Sequence, residues 1–303
     1  MTNFLCRDKV DRSLLLTLAA ALNTAAADNV KSGAIVLTVT VRDMDLVRAE
    51  DGQLTPVLPP QFPFHVTNSP VSGRCVIASR EIRPGETILT DSAIILGPAS
   101  PVVCIVCCSA RGHRSRCPGC RHVLCQRCGG HSEEECQALA KCGYTSDMFN
   151  IILPIRFGLL QQRDRVMFEW LLQNMDHNEE RNKNEELRES TDRMTTLLAG
   201  SIPGVTKQLA WKMVGILFTN CFEFKVGDID ARALYPLVSL VNHSCIPNMR
   251  HTNLINQLET FNSQTGDKDM VDGEIVVMQL EAARTILPNT ELTIRYNDYM
   301  MVC

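Results

Sequence analysis

The feature that most restricts the fold of this chain is a dense group of cysteines between positions 104 and 142. Nine of the fourteen cysteines lie in these 39 residues, and six of them form three Cys-x2-Cys pairs. Two intervening residues make a tight turn that directs both thiolates toward one metal ion. With a later histidine and cysteine, the pairs supply eight ligands, enough for two tetrahedral zinc sites: Cys104, Cys107, Cys117, Cys120, Cys125, Cys128, His131 and Cys136. Four spare donors in the same segment could replace some of them: Cys108, His113, His122 and Cys142.

The cysteine pattern also bears on the compartment. Closely spaced pairs indicate zinc bound by reduced thiols, whereas a disulfide framework is spread differently and belongs to secreted chains. Against this, the apolar run 14–22 follows basic residues and precedes Ala25–Ala27, which is similar to a secretory signal. The run is too short to span a bilayer. A secreted chain, an N-terminal helix and an appendage outside the domain therefore stay open as alternatives for this end.

Length and charge narrow the class of protein. The 303 residues, 45% of them hydrophobic and 21% charged, have the composition of a globular protein of one large or two ordinary domains. The net charge of -4 offers no basic face, so we expect no direct nucleic-acid partner and no membrane partner. If chromatin is a target, contact would be made through protein.

Residue patterns predict a mixed helix and strand fold. Strands are predicted at 34–41, 273–279 and 291–296, and a polar, proline-containing linker at 42–63, so that the organised part begins near Phe64. The runs 71–79 and 86–96 predict a hairpin, with Pro84 and Gly85 in a type II turn. Apolar residues at helical spacing predict helices from 146 to about 200 and again over 202–224.

A polar loop follows an apolar segment near the end of the chain. Asn242-His-Ser-Cys-Ile-Pro-Asn248 places five polar side chains and a proline within seven residues. Such a segment is poor material for the interior of a helix or strand, because Pro247 fixes φ and lacks a backbone donor. The segment is typical of a binding loop.

These residues carry a resemblance to a known family. The Asn242–Asn248 motif resembles the signature of SET-domain protein lysine methyltransferases, and Ala233-Leu-Tyr-Pro236 resembles the SMYD (SET and MYND) branch, closest to the arthropod SmydA type. The resemblance implies an α+β fold: a SET-domain β fold with a pseudoknot, split by a MYND zinc finger and a helical SET insert. The implied boundaries are an N-terminal appendage at 1–63, the first SET part at 64–99, the finger at 100–142, the insert at 143–226 and the second SET part at 227–303.

The resemblance also implies roles for individual residues. Tyr296 would be the catalytic tyrosine, and S-adenosylmethionine would be bound by Gly73, Asn220, Asn242 and His243. One zinc ion would be held by Cys104, Cys107, Cys125 and Cys128, and the other by Cys117, Cys120, His131 and Cys136. Cys245 would be a further zinc ligand together with a post-SET cysteine segment, which the family has after the position of Cys303. Cys75 replaces the second glycine of the family's Gly-x-Gly, which predicts weaker cofactor binding.

The function that the resemblance implies is methyl transfer from S-adenosylmethionine to a lysine of a histone or another protein. It also implies a role in transcription and chromatin regulation and a location in nucleus and cytoplasm. Without the post-SET segment we expect weak activity. The alternative is a MYND adaptor that binds proline-rich partner peptides on a SET scaffold of little or no activity, and a secreted, disulfide-linked chain is a third possibility if the N-terminal signal is real.

Overall fold

A computed structural model describes residues 45–58, 60–70, 73–128, 130–143, 146–177, 185–261 and 268–296. The strand expected at 34–41 and the signal-like N-terminal run lie outside these residues. Among the helices of the described part, none combines the length and the apolar character needed to cross a membrane.

The first described element corrects the expectation of a linker over 42–63. Strands β1 (Asp45–Arg48) and β2 (Leu54–Val57) form an antiparallel hairpin, with Gly52 at a φ of 82° in the turn. Leu54 is buried, and Asn174 donates a hydrogen bond to its carbonyl oxygen at 3.3 Å. Tertiary contact thus overrides the local proline and polar signals, and the organised part begins before Phe64.

The predicted hairpin between the next two strands is also wrong. Strand β3 (Phe64–Ser69) pairs with β4 (Gly73–Ala78), and the second run divides into β5 (Thr87–Ser92) and β6 (Ile95–Pro98). Neither β5 nor β6 pairs with β4, because both take partners from the second half of the chain. The turn itself is present: Gly85 has a φ of 80°, and the Glu86 N–H donates to the carbonyl of Arg83 at 3.1 Å.

The cysteine-rich segment contains little regular structure. It forms a short hairpin of β7 (Arg114–Arg116) and β8 (Val123–Cys125), followed by helix α1 (Glu133–Cys142). Ser132 caps this helix by accepting from the N–H of Glu135 at 3.3 Å.

Helices fill the middle of the chain, as their periodicity predicts. A 3-10 turn (Ser146–Ile151) leads into α2 (Ile152–Arg163), which α3 (Arg165–Asn174), α4 (Glu185–Ser201) and α5 (Lys207–Asn220) follow. Apolar side chains from α2, α3 and α5 are buried in the core. The last helix ends at Asn220 rather than at Phe224, because Phe222 already belongs to a strand.

The second half of the chain completes the sheets begun by the first. Strands β9 (Phe222–Val226) and β10 (Ile229–Leu234) form a sheet in the order β6-β10-β9. The long strands β12 (Met249–Phe261) and β13 (Lys268–Ala282) form another in the order β12-β13-β5. Between them lies β11 (Asn242–His243), which pairs in parallel with β14 (Thr293–Ile294). One apolar core runs beneath these sheets, the helices and the cysteine-rich segment.

Candidate active site and metal centres

The side chain of Asn242 joins three parts of the chain at the start of the polar loop. Its Nδ2 donates to the carbonyl oxygen of Arg74 at 3.0 Å and to Oε1 of Glu291 at 2.8 Å. Arg74 directly follows Gly73 in β4, and Glu291 lies just before β14. Two of the predicted cofactor residues, Gly73 and Asn242, are therefore brought together from 169 positions apart in sequence (242 − 73).

Asn248 fixes the far end of the loop. Its Nδ2 donates to the carbonyl of Glu291 at 2.7 Å, and its Oδ1 accepts from the N–H of Thr293 at 2.8 Å. The residue is buried, and these bonds satisfy both ends of its amide. The loop is thus held in register with the segment that leads to Tyr296.

Tyr296, the expected catalytic residue, lies against the loop. Its ring centroid is 5.3 Å from that of His243, and its backbone N–H donates to His243 Nδ1 at 3.2 Å. The hydroxyl donates to the carbonyl oxygen of Val241 at 2.6 Å, and the ring meets Phe222 edge-on at 6.2 Å. The side chain remains 42% exposed, so a substrate can reach it from solvent. Burial of the hydroxyl end raises the pKa of Tyr296, which keeps the phenol neutral at physiological pH.

The glycine and the cysteine of β4 differ in what their backbone requires. Gly73 has a φ of 66°, a conformation that side chains rarely adopt, although a Cβ there would meet no atom within 4 Å. Positive φ at non-glycine residues of the described part is confined to three other positions, so Cys75 is accommodated without backbone strain. Cys75 is buried at 2% exposure. The effect of its side chain on cofactor binding stays a prediction.

Asn220, at the end of α5, is held in place by its amide nitrogen. Its Nδ2 donates to the carbonyl oxygens of Asp176 and Ile216, both at 2.8 Å. Both amide hydrogens are therefore used by the backbone, which leaves Oδ1 as the atom that a ligand could engage.

A short stretch that sequence reasoning did not assign to the site, Asn174–His177, lies beside these residues; we call it the connecting segment. The guanidinium of Arg74 donates to Asn174 Oδ1 at 3.4 Å and to its carbonyl oxygen. Where α5 passes it, a Cβ at Gly215 would lie 2.5 Å from the carbonyl oxygen of His177. The one sequence feature that could have pointed to this contact is Gly215, because a glycine inside a helix allows close approach of another backbone. Such glycines are too common to locate a site.

The structure groups the eight predicted ligands into two clusters. The first cluster contains Cys104, Cys107, Cys125 and Cys128, whose sulfur atoms all lie within 4.8 Å of one another. The Cys107 and Cys125 sulfurs are 3.7 Å apart. A tetrahedral site with Zn–S bonds of about 2.3 Å separates its sulfurs by about 3.8 Å, so the spacing fits a zinc ion.

The second cluster contains Cys117, Cys120, His131 and Cys136. The sulfurs of Cys117 and Cys136 are 3.6 Å apart, and Cys120 Sγ lies 3.3 Å from His131 Nε2. Gly119 makes this approach possible, because a Cβ there would lie 2.7 Å from the Cys136 sulfur. Both clusters are therefore the groups that the resemblance implies, and either could hold a metal ion.

One cysteine in each cluster has a pKa below the usual value for a thiol. A hydrogen bond from the Cys107 thiol lowers the pKa of Cys104 to about 4. Burial opposes ionisation of Cys117, but hydrogen bonds from the backbone of Cys120 and from His131 outweigh it and lower the Cys117 pKa to about 6. Since the thiolate is the metal-binding form, each cluster contains one cysteine that is already largely ionised at neutral pH before a metal binds.

The other candidate donors lie outside the clusters. Cys142 is buried, with its Sγ 3.1 Å from the hydroxyl of Ser201. Cys108, His113 and His122 belong to neither group of possible ligands found in the described residues. Cys245 Sγ lies 3.4 Å from His243 Nε2, and this cysteine is disulfide-bonded, so the structure does not show it as a thiolate ligand.

Comparison with known proteins agrees with this geometry. The chain is similar to the SET domain-containing protein SmydA-8 of Drosophila melanogaster: isoform B is 23% identical over 239 residues (71% of this chain, 51% of the relative), and isoform A is 26% identical over 209 residues (61% and 44%). The chain thus spans about half the length of the curated relatives it matches. These similarities confirm the prediction of a SMYD-type chain of the SmydA branch.

Solved structures of SET proteins are also similar to this chain. The SET domain of LSMT bound to lysine and AdoHcy gives a TM-score of 0.43 at 11% identity, over 80% of this chain and 51% of that one. Rubisco LSMT bound to AdoMet gives 0.41 at 12% identity, over 80% and 50%. The family is decided by the sequence, since the SET domain family model matches residues 73–297, more than half of the chain. The mixed helix and sheet fold is that of a SET domain, and this chain belongs to the SET domain family.

Proposed function

We propose that this chain transfers a methyl group from S-adenosylmethionine to the side-chain amine of a lysine in a protein substrate. The observation that carries the proposal is the position of Tyr296, whose hydroxyl is fixed on the Val241 carbonyl and whose ring lies against His243. The resemblance assigns Tyr296 to catalysis and His243 to cofactor binding. Their proximity supports a single site that serves both purposes.

The hydroxyl of Tyr296 is suited to orient an amine. Its one hydrogen is donated to Val241, which leaves the lone pairs of the oxygen free to accept from an N–H of the incoming lysine. Holding the amine in one orientation before the reaction lowers the entropic part of the activation barrier, by up to several kcal/mol in well-oriented reactions. Because the phenol stays neutral at physiological pH, it presents a dipole and no charge to the lysine.

Aromatic rings packed around the Tyr296 ring favour the neutral form of the lysine amine. The Phe222 ring packs on Tyr296 and also lies 5.9 Å from His251. A lysine that enters beside such rings loses hydration, and desolvation favours the neutral amine over the ammonium ion. The neutral amine is the nucleophile.

The same loop offers groups for the cofactor, which supplies a methyl group on a sulfonium centre when it is bound. Asn242 and His243 would hold it largely through their backbone, since the Asn242 amide is already engaged by Arg74 and Glu291. Asn220 Oδ1 can accept from an ammonium group, and the positive φ of Gly73 keeps that part of β4 free of a side chain. The donors and acceptors present therefore fit an amino-acid-containing cofactor.

We assign zinc to both cysteine clusters. The sulfur spacings match tetrahedral coordination, and four protein ligands in each cluster leave no open position for catalysis. Zinc would stabilise the cysteine-rich segment and take no part in methyl transfer.

Radiolabelled methyl transfer to histone and other protein mixtures tests the function. Wild-type protein should label a substrate, and Tyr296→Phe should lower the rate at least tenfold while binding of S-adenosylmethionine, measured by calorimetry, changes little. Tyr235→Phe is the matched control, because it removes a buried hydroxyl that bonds to Asn253 instead of to the loop. Equal rates for wild type and Tyr296→Phe would contradict the proposal.

Calorimetry with proline-rich peptides, combined with the methyl-transfer assay, separates the alternative function. An adaptor that recruits such peptides would bind them and show no methyl transfer. The identity of the protein substrate, the role in transcription and chromatin and the nuclear and cytoplasmic location remain predictions from the family resemblance.

A further inference from the structure

Arg156 occupies a junction between three parts of the molecule. It projects from α2, and its Nη1 donates to the carbonyl oxygen of Leu96 in β6. Its Nη2 donates at 2.8 Å to the carbonyl of Ile105, which lies between two ligands of the first cluster. Nε and Nη2 both lie 2.8 Å from Oε1 of Glu135 in α1. A single guanidinium thus connects β6, the first cluster and the helix that carries Cys136 of the second cluster.

The carboxylate held by Arg156 faces a ligand of the second cluster. Glu135 Oε2 lies 3.9 Å from Nδ1 of His131, and the two side chains are only 6% and 3% exposed. A buried carboxylate is costly unless it is paired, and Arg156, 16% exposed, provides that pairing on the opposite oxygen. The glutamate is therefore a buried charge beside His131 and not a solvated surface group.

His131 needs an acceptor at this atom. Its Nε2 is the nitrogen that lies in the second cluster, so metal binding there leaves the ring proton on Nδ1. Nδ1 is buried and has no hydrogen-bond partner among the described residues. The carboxylate oxygen facing it is Glu135 Oε2, which at 3.9 Å makes a charge contact too long for a hydrogen bond. The two atoms must approach by roughly 1 Å to form that bond. A metal-bound histidine that donates its other N–H to a carboxylate is held in one tautomer and one ring orientation.

We propose that Glu135 is the positioning residue of the second cluster, and that Arg156 keeps it in place from α2. The inference rests on the assignment of zinc to this cluster. It adds that the second metal depends on residues outside the cysteine-rich segment: the carboxylate that sets the tautomer of His131 is held by Arg156 of α2, which also bonds to Leu96 in β6. Loss of Glu135 weakens metal retention at the second cluster and leaves the first intact, whereas loss of Arg156 also removes the donor to Ile105, between two ligands of the first cluster.

The test follows zinc leaving the purified full-length protein into a chromogenic chelator. Wild type should release two zinc ions slowly. In Glu135→Gln one of the two ions should leave about 10–100-fold faster, the usual effect of removing an outer-shell partner, while the other keeps its rate; Arg156→Gln should accelerate the same ion. Glu134→Gln is the matched control, because this neighbouring carboxylate is 64% exposed and makes only a long contact, 4.0 Å, with Arg163. It should behave as wild type.

A second background distinguishes positioning from a general effect on folding. In His131→Cys the ligand has no tautomer to fix, so Glu135→Gln added to this variant should cause no further acceleration. An equal acceleration in both backgrounds would show that Glu135 acts on the fold, and it would overturn the proposal. Wild-type release rates for both ions in Glu135→Gln would also overturn it while leaving the zinc assignment intact. A wild-type protein without bound metal would overturn both.

Discussion

Replacing Gly119 by alanine would place a methyl group against the sulfur of Cys136. The added Cβ would lie 2.7 Å from that sulfur, whereas real Cβ atoms essentially never approach closer than 3.0 Å. The sulfur or the backbone must therefore move by at least 0.3 Å (3.0 − 2.7). Metal–ligand distances in a working site stay within about 0.2 Å of their ideal values, so the sulfur can make room for the methyl group only if the metal and its other ligands move with it.

The size of the effect follows from what a misplaced ligand costs. A loss of about 10–100-fold in metal affinity corresponds to roughly 1.4–2.7 kcal/mol, a sizeable part of the stability of an ordinary domain. We expect Gly119→Ala to contain about one zinc ion per chain after dialysis against a weak chelator, compared with two for wild type. Elemental analysis gives the count, and thermal unfolding should show a lower midpoint.

Gly130 provides the matched control for this substitution. It lies in the same segment, and a Cβ there would meet no atom within 4 Å at an ordinary φ. Gly130→Ala should therefore keep both ions. Two zinc ions retained by Gly119→Ala at wild-type affinity would refute the packing argument, because the sulfur would then have room that the structure does not provide.

Three further outcomes are expected. Gly215→Ala should displace the connecting segment, since its Cβ would lie 2.5 Å from the His177 carbonyl, and calorimetry should show weaker binding of S-adenosylmethionine. Asp91→Ala should lower the free energy of unfolding by about 2–3 kcal/mol, measured by denaturant titration, because the buried N–H groups of residues 237 and 238 lose a charged acceptor. Acidification should release the metal from both clusters, because protons compete with the metal for the thiolate sulfurs. Ions that stay bound in strong acid, followed with a chromogenic chelator, would contradict coordination by cysteine.

The sequence predicted best what depends on local spacing. Cys-x2-Cys pairs indicate metal ligands because both side chains of a pair belong to one turn, and the six residues chosen in this way, together with His131 and Cys136, are the ones that the structure groups. Pairing of distant strands was not predictable in the same way. A hairpin between 71–79 and 86–96 was the local solution, but β5 pairs instead with residues 277–281 of β13. No pattern in the sequence records such a partner.

The contacts that fix the candidate site were hidden for a related reason. Asn242 was singled out by its motif, yet its partners at Arg74 and Glu291 are set by the tertiary fold. Glu135 reads as an ordinary acidic residue in the first turn of a helix, and only the buried pair with Arg156 distinguishes it from Glu134. The hairpin at 45–57 was interpreted as a linker because its stability comes from contact with α3 and not from its own residues.

The separation in sequence between paired strands has a consequence for the order in which the molecule assembles. Strand β6 pairs with residues 231–234, β5 pairs with residues 277–281, and β4 bonds to residues 290 and 292. None of these strands can complete its pairing until those later residues have been synthesised. Closure of such long loops is slow, because the chain loses conformational entropy before the new contact stabilises it. The eight ligands of the two clusters all lie between residues 104 and 136, although residues 108–111 also bond to residues 228–230. We therefore expect the clusters to capture their metal first during synthesis, and the later contacts of this segment to form when the two halves of the sheet system close.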